Sequence, residues 1–189
     1  MQFKKVFNAA ALLGLSSASS VPRASELHAD SKFTLMALRS ASPVHFASFS
    51  AAQSNLFLHM PRQDATCDGE DPGYATFYLN DGGLFLYAAS ATPQQIYADR
   101  SGMGQGNLGY ITGAQRPPRN AEVDGWVVDE SGNLSLDGAG FIACPDSIEG
   151  AWSLWIDAGV AQPGGNSGCL GISVRAVEAA KPVSCRYTS

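Results

Sequence analysis

The sequence predicts an all-β fold, a β-sandwich or barrel of short antiparallel strands with long Gly/Pro-rich loops and two disulfides. Three observations predict it. No stretch of three turns carries apolar residues at i, i+3, i+4 and i+7; the best, residues 174–180, is short and runs into Lys181-Pro182. Short alternating apolar runs recur between turns rich in Gly, Asn, Asp and Pro. Four cysteines follow an N-terminus built for export, and an even count on a secretory route favours disulfides.

The elements follow in order. Lys4 and Lys5 precede an uncharged run, residues 6–15, and then the small cluster Ser16-Ser17-Ala18-Ser19-Ser20. A basic start, a short apolar stretch and a small-residue exit make a secretory signal peptide over residues 1–20. The apolar run is shorter than the about 20 residues a bilayer-spanning helix needs. Residues 21–32 are expected to be a flexible entry segment, and residues 33–189 a single β domain with a sizeable core.

Strand signals begin with Thr34-Leu35-Met36-Ala37-Leu38. After a turn at Ser42-Pro43 comes a second run, Val44-His45-Phe46-Ala47-Ser48-Phe49, and residues 55–58 follow. The clearest hairpin joins 74–79 to 84–87 through Asn80-Asp81-Gly82-Gly83, whose residue types supply the positive φ angles of tight turns. A second joins Trp126-Val127-Val128 to Leu134-Ser135-Leu136, and Asp137-Gly138-Ala139-Gly140 turns again into Phe141-Ile142-Ala143-Cys144. Residues 152–156 and 170–174 alternate as strands do. Residues 100–106 and 113–120 are long loops, the second holding Pro117-Pro118.

Composition bounds the function. Apolar residues make up 45% of the chain, which argues against disorder. The net charge is −5, only 15% of residues are charged, and the sequence has no basic patch. Nucleic acid is therefore not an expected partner, because phosphate recognition needs clustered Lys and Arg. The polar C-terminus, Cys185-Arg186-Tyr187-Thr188-Ser189, gives no signal for a membrane anchor. Cys67, Cys144, Cys169 and Cys185 lack the close pairing of a zinc site, so they are assigned to two disulfides. Three pairings are open; Cys169 with Cys185 is favoured because the two flank one short segment.

Chemistry-bearing groups are sparse. Gly165-Asn166-Ser167-Gly168 is similar to the nucleophile turn of chymotrypsin-like proteases, and the order His59, Asp, Ser167 matches theirs. Neither His45 nor His59 lies in the sequence context of those enzymes, however, and 22 residues after Ser167 are too few to complete the second barrel. Asp124, Asp129, Glu130, Asp137, Asp146 and Glu149 are the carboxylates available for glycoside hydrolysis. All lie in or beside turns, where such residues bond the backbone. No metal site and no cofactor is expected. Trp126, Trp152, Trp155 and Tyr97 are candidate carbohydrate-stacking residues, since flat aromatics pack on the apolar face of a pyranose. Trp152 and Trp155 fall on opposite strand faces, so at most one belongs to the core. Asn133-Leu134-Ser135 is the glycosylation sequon, at a turn edge.

Longer motifs carry a resemblance. They include Ser90-Ala91-Thr92-Pro93-Gln94-Gln95, Asp99-Arg100-Ser101-Gly102-Met103-Gly104-Gln105-Gly106 and Leu108-Gly109-Tyr110. Asp137-Gly138-Ala139-Gly140, Ala143-Cys144-Pro145, Ser147-Ile148-Glu149-Gly150 and Pro163-Gly164-Gly165-Asn166 continue the pattern. Together these motifs resemble the fungal PhiA (phialide) cell-wall protein family from about residue 36 onward. The resemblance implies a non-enzymatic fungal protein, secreted to the extracellular space and cell wall. It also implies a link to phialide and conidium development (sporulation), with some members allergens, and it carries over no catalytic residue. The cysteine spacing is also similar to that of PIR-type wall mannoproteins, although the Gln-containing repeats of that family are missing here. The expected partner is wall polysaccharide, glucan or chitin. The rival readings are a secreted hydrolase and a soluble interaction or carbohydrate-binding module.

Overall fold

The computed structural model describes residues 31–89 and 92–189. The expected signal peptide, residues 1–20, lies outside these residues, as does nearly all of the expected entry segment. Fourteen strands and two short 3-10 turns make up the described regular structure. In chain order the strands are β1 Phe33–Leu38, β2 Phe49–Ala52, β3 Asn55–Leu58, β4 Thr66–Cys67, β5 Thr76–Asn80, β6 Gly83–Leu86 and β7 Gln94–Asp99. They continue with β8 Asn107–Thr112, β9 Trp126–Val128, β10 Leu134–Leu136, β11 Phe141–Cys144, β12 Trp152–Ile156, β13 Leu170–Glu178 and β14 Cys185–Arg186. The all-β expectation holds, and the choice between sandwich and barrel resolves to a barrel-like sheet.

All strand pairings are antiparallel. They run β11-β13-β1-β5-β6-β7-β8-β12, and β12 pairs back onto β11. Strands inside a closed ring have partners on both sides, which removes most of the template for edge-to-edge aggregation. The ring is uneven at one seam. β8 and β12 share a single register pair, Asn107 with Trp155. There β3 is wedged in, pairing with β12 at Phe57 and Leu58 and with β8 at Asn55. β2 lies outside it, paired with β3.

The two-residue period sets the core. In β1 and β7 every second residue is buried, giving Phe33, Leu35 and Ala37 on one and Gln94, Ile96 and Ala98 on the other. Phe49, Phe77, Phe141, Leu84, Leu86, Leu154 and Ile156 complete the same interior. Each such large apolar side chain contributes about 1.5–3 kcal/mol by leaving water. The C-terminal tail is part of this interior. Buried Gln94 donates its amide to Tyr187 O at 2.9 Å, and its Oε1 accepts the Tyr187 N–H at 2.9 Å. Tyr187 is itself buried, and its hydroxyl accepts the Thr76 N–H.

Turn chemistry explains several connections. Asp81 and Gly82 both take positive φ between the paired Asn80 and Gly83, the geometry that matches strand twist in a two-residue hairpin. Asp137-Gly138 repeats it between Leu136 and Ala139.

Two expectations are corrected. Residues 44–48 are not a strand: the Phe46 N–H donates to Ala37 O, and the Ala47 N–H turns back to Val44 O. This leaves Phe46 at φ 64° and 63% exposed. The favoured Cys169–Cys185 pairing is also wrong; the disulfides are Cys67–Cys185 and Cys144–Cys169. The segment between Cys169 and Cys185 holds the nine-residue strand β13, which at about 3.3 Å per residue carries its ends far apart. Cys67 and Cys185 instead face each other directly across the β4–β14 pair.

Candidate functional site

The seam between β8 and β12 opens into a cleft of about 350 Å3. β12 shows why Trp155 is there. Leu154 and Ile156 point into the core, and Trp152 packs partly buried against the same core. Ser153 and Trp155 therefore face outward, as the alternation rule requires. The Trp155 Nε1–H donates to Ser153 Oγ at 3.1 Å, which fixes the indole along its own strand. Its far edge lies over Gly164, where a Cβ would come within 2.5 Å of Cη2. Only glycine admits that contact, and φ of 65° at this position suits glycine as well.

The remaining walls come from separate segments. Gln53 lies in the β2–β3 turn, Asn55 begins β3, Asn107 begins β8, and Asn166 follows the Pro163–Gly165 turn. The Asn166 amide donates to Pro163 O at 2.7 Å, and Gln105 Oε1 accepts the Gly164 N–H at 2.9 Å. The Cys144–Cys169 bridge ties this loop to the end of β11. Phe57 and Ile148 underlie the cleft and belong to a small satellite core with Ala52, Met60 and Ala151. Among the described residues no side chain lining the cleft is ionisable; its polar groups are amides, hydroxyls and one indole N–H, beside an apolar floor. Such a surface complements a neutral polyhydroxylated ligand, with the ring supplying stacking area and the amides directional hydrogen bonds.

On the other side of the β2–β3 turn a shallower concavity of about 470 Å3 is lined by Ser54, Tyr97, Ile111, Gln115, Arg116 and Pro118, with Tyr110 beneath. Tyr97 faces outward from β7 and lies opposite Gly109 of β8. A Cβ at Gly109 would stand 2.9 Å from the Tyr97 hydroxyl and 2.8 Å from Ser54 O, so glycine lets the ring lie across the strand. Partial burial raises the Tyr97 pKa, hydrogen bonding from Asn107 opposes the rise, and the Asp99 charge adds to it.

Of the four candidate stacking residues, the structure brings Trp155 and Tyr97 to open concavities. Trp126 is 2% exposed and packs on Phe141, so it is a core residue and not part of a surface platform. Trp152 sits on the core face of β12. Asn133 ends the β9–β10 turn, half-buried; its Oδ1 accepts a bond from Arg175 Nε at 3.3 Å, and its Nδ2 lies 3.5 Å from Asp129 Oδ2.

The hydrolase candidates are placed differently. Ser167 is exposed, while the two described imidazoles are engaged elsewhere: His45 Nδ1 accepts the Arg39 N–H, and His59 Nε2 meets Pro43 O. Asp137, Asp146 and Glu149 hold positive φ in turns, and Asp129 accepts the Asn133 N–H. Glu122, which sequence reasoning passed over, forms a bidentate pair with Arg100, and Arg100 also reaches Asp137 at 3.3 Å. The amides of the Trp155 cleft were also missed, because nothing local marks Asn55, Asn107 or Asn166 as neighbours.

Comparison with known proteins decides the family. Residues 33–188 match the family described as PhiA-like secreted protein. The chain belongs to that family. It is 49% identical over the full length of both chains to a cell wall protein phiA of Aspergillus fumigatus. It is 51% identical to one of Emericella nidulans, over 83% of this chain and 86% of that protein, and 46% identical to one of Aspergillus niger over the full length of both. No solved structure matches. As a PhiA-family member the chain is a secreted, disulfide-bonded fungal cell-wall protein.

Proposed function

We propose that this PhiA-family protein is a non-catalytic component of the fungal wall that binds neutral wall polysaccharide, glucan or chitin, and serves in phialide and conidium development. The observation that carries the binding reading is the Trp155 cleft: an outward indole, held by Ser153 and Gly164, among amide and hydroxyl groups with no ionisable side chain. Polysaccharide chains in a wall are fixed and polyhydroxylated, so a rigid site that stacks on a sugar face loses little conformational entropy on binding. The non-catalytic reading is supported by where the polar groups point. The His45 and His59 rings bond backbone, and the turn carboxylates cap or shape their own loops. General acid–base work instead needs a group free to reach a substrate proton. The developmental role rests on the resemblance to the phialide family alone.

The test is retention on insoluble β-glucan and chitin, with release of sugar measured in the same tubes. The protein should be retained without releasing reducing ends, and Trp155→Ala should lower retention at least about tenfold, the loss expected for an aromatic anchor worth about 1.4 kcal/mol or more. Equal retention of wild type and variant, or turnover of the polymer, contradicts the proposal. Immunolabelling should place the protein on phialide and conidial walls; label confined to the cytosol contradicts the developmental part.

A further inference from the structure

The two concavities meet at one turn, and that turn is strained. Gln53 and Ser54 join β2 to β3 with φ of 49° and 59°, so both central residues of the hairpin are left-handed without a glycine, asparagine or aspartate. The two-residue turns at Asp81-Gly82 and Asp137-Gly138 use Asp-Gly for the same geometry. A non-glycine residue in this region costs about 1 kcal/mol or more, and such strain persists where the surroundings over-determine it. Here the C-terminus does so. The Ser54 N–H donates to Thr188 O at 3.1 Å, and the Gln53 N–H donates to Thr188 Oγ1 at 3.1 Å. The Tyr110 hydroxyl donates to the same Thr188 carbonyl, and Ser54 O accepts the Tyr110 N–H at 2.9 Å.

The turn separates the Trp155 cleft from the Tyr97 concavity and contributes to both. Gln53 and Asn55 line the first, and Ser54 between them lines the second. Asn107 makes a second link: it lines the Trp155 cleft and lies on β8 with Gly109, the residue over which the Tyr97 ring crosses.

We infer that the two concavities are successive subsites for one neutral hexopyranose chain, which crosses the Gln53–Ser54 turn with Trp155 stacking on one sugar and Tyr97 on another. This inference rests on the polysaccharide-binding reading and extends it from a single stacking residue to recognition of chain length. The occupant is a polymer because each concavity offers one outward ring, and adjacent residues of one turn line both, Gln53 the first and Ser54 the second. It is neutral because, among the described residues, no carboxylate lines either concavity, and the ionisable side chains there are Tyr97, Tyr110 and Arg116, all in the second. A ligand that fills both subsites binds its second unit at high effective concentration, so affinity rises with length until both are occupied.

The experiment is calorimetric titration of the intact protein with β-glucan and chitin oligosaccharides, as disaccharide and hexasaccharide. Whichever series binds, the hexasaccharide should bind at least about tenfold tighter than the disaccharide. Tyr97→Ala should erase that difference by weakening hexasaccharide binding about tenfold. Tyr97→Phe, which keeps the ring and the fold, should retain most of the length effect. Equal affinity for both lengths, lost together in Trp155→Ala, overturns the two-subsite inference and leaves the binding reading standing. Equal weakening of both lengths by Tyr97→Ala also overturns it. No binding of any oligosaccharide overturns both.

Discussion

At the scale of single residues, side chains that look equivalent in the sequence part company by their partners. Trp126 and Trp155 are both flanked by strand residues, yet one is sealed against Phe141 and the other holds its N–H on Ser153 beside an open cleft. Arg100 and Glu122 show how one pair anchors a long loop. Glu122 bridges its backbone to Ala98, and its carboxylate takes two bonds from the Arg100 guanidinium. Those bonds pull the Glu122 pKa below its ordinary 4.5, against a smaller opposing effect of burial. A folded-state value below the unfolded one means that the unfolded chain binds protons more readily. The stabilisation is therefore full above about pH 4.5 and is lost as pH falls through the folded value. Glu122→Gln should be slightly less stable at neutral pH, by no more than about 1 kcal/mol given how much water reaches the pair. Its urea midpoint should also fall less steeply with acid than that of the wild type. Parallel acid dependence in the two proteins would show that the pair contributes nothing.

At the scale of elements, the β2–β3 turn is where local preference and tertiary demand disagree. Gln53→Asn combined with Ser54→Gly should relax the left-handed backbone and raise the thermal midpoint by a few degrees. The same change shortens the Gln53 side chain at the cleft rim, so polysaccharide retention should fall while stability rises. A lower midpoint would mean that the turn is not strained. Elements with strong alternation were legible in the sequence: β1, the β5–β6 hairpin, the β9–β10 hairpin, β11 and β12 all lie where their pattern predicts. β7 and β8 were not legible, for physical reasons. The inward face of β7 begins with Gln94 and ends with Ala98, so its hydrophobic contrast is weak, and β8 carries Gly109 at the point where Tyr97 crosses. Gln94 reads as polar and exposed, yet it is buried because the tail it clamps lies 93 residues away in sequence. The opposite-face reading of Trp152 and Trp155 succeeded because it depends only on the pleat, whereas the disulfide pairing depends on which distant strands meet.

At the scale of the whole molecule, a closed ring of strands is cross-linked at two places by bonds of very different span. Cys67–Cys185 closes 118 residues and Cys144–Cys169 closes 25. In the chain-entropy description the longer loop contributes about 4–5 kcal/mol and the shorter about 3 kcal/mol, by restricting the unfolded chain. The longer bridge secures the tail that holds the β2–β3 turn, and the shorter one secures the loop that backs Trp155. Both cross-links thus stiffen the walls of one surface, as the proposed binding of a fixed polymer requires. The most direct measurement is nuclear magnetic resonance of the three tryptophan indole N–H signals during titration with a wall oligosaccharide. The Trp155 signal should move, together with the side-chain amides of Asn55, Asn107 and Asn166, while the buried Trp126 signal stays in place. A Trp155 signal that does not move at saturating ligand would contradict the assignment of this cleft as the polysaccharide site.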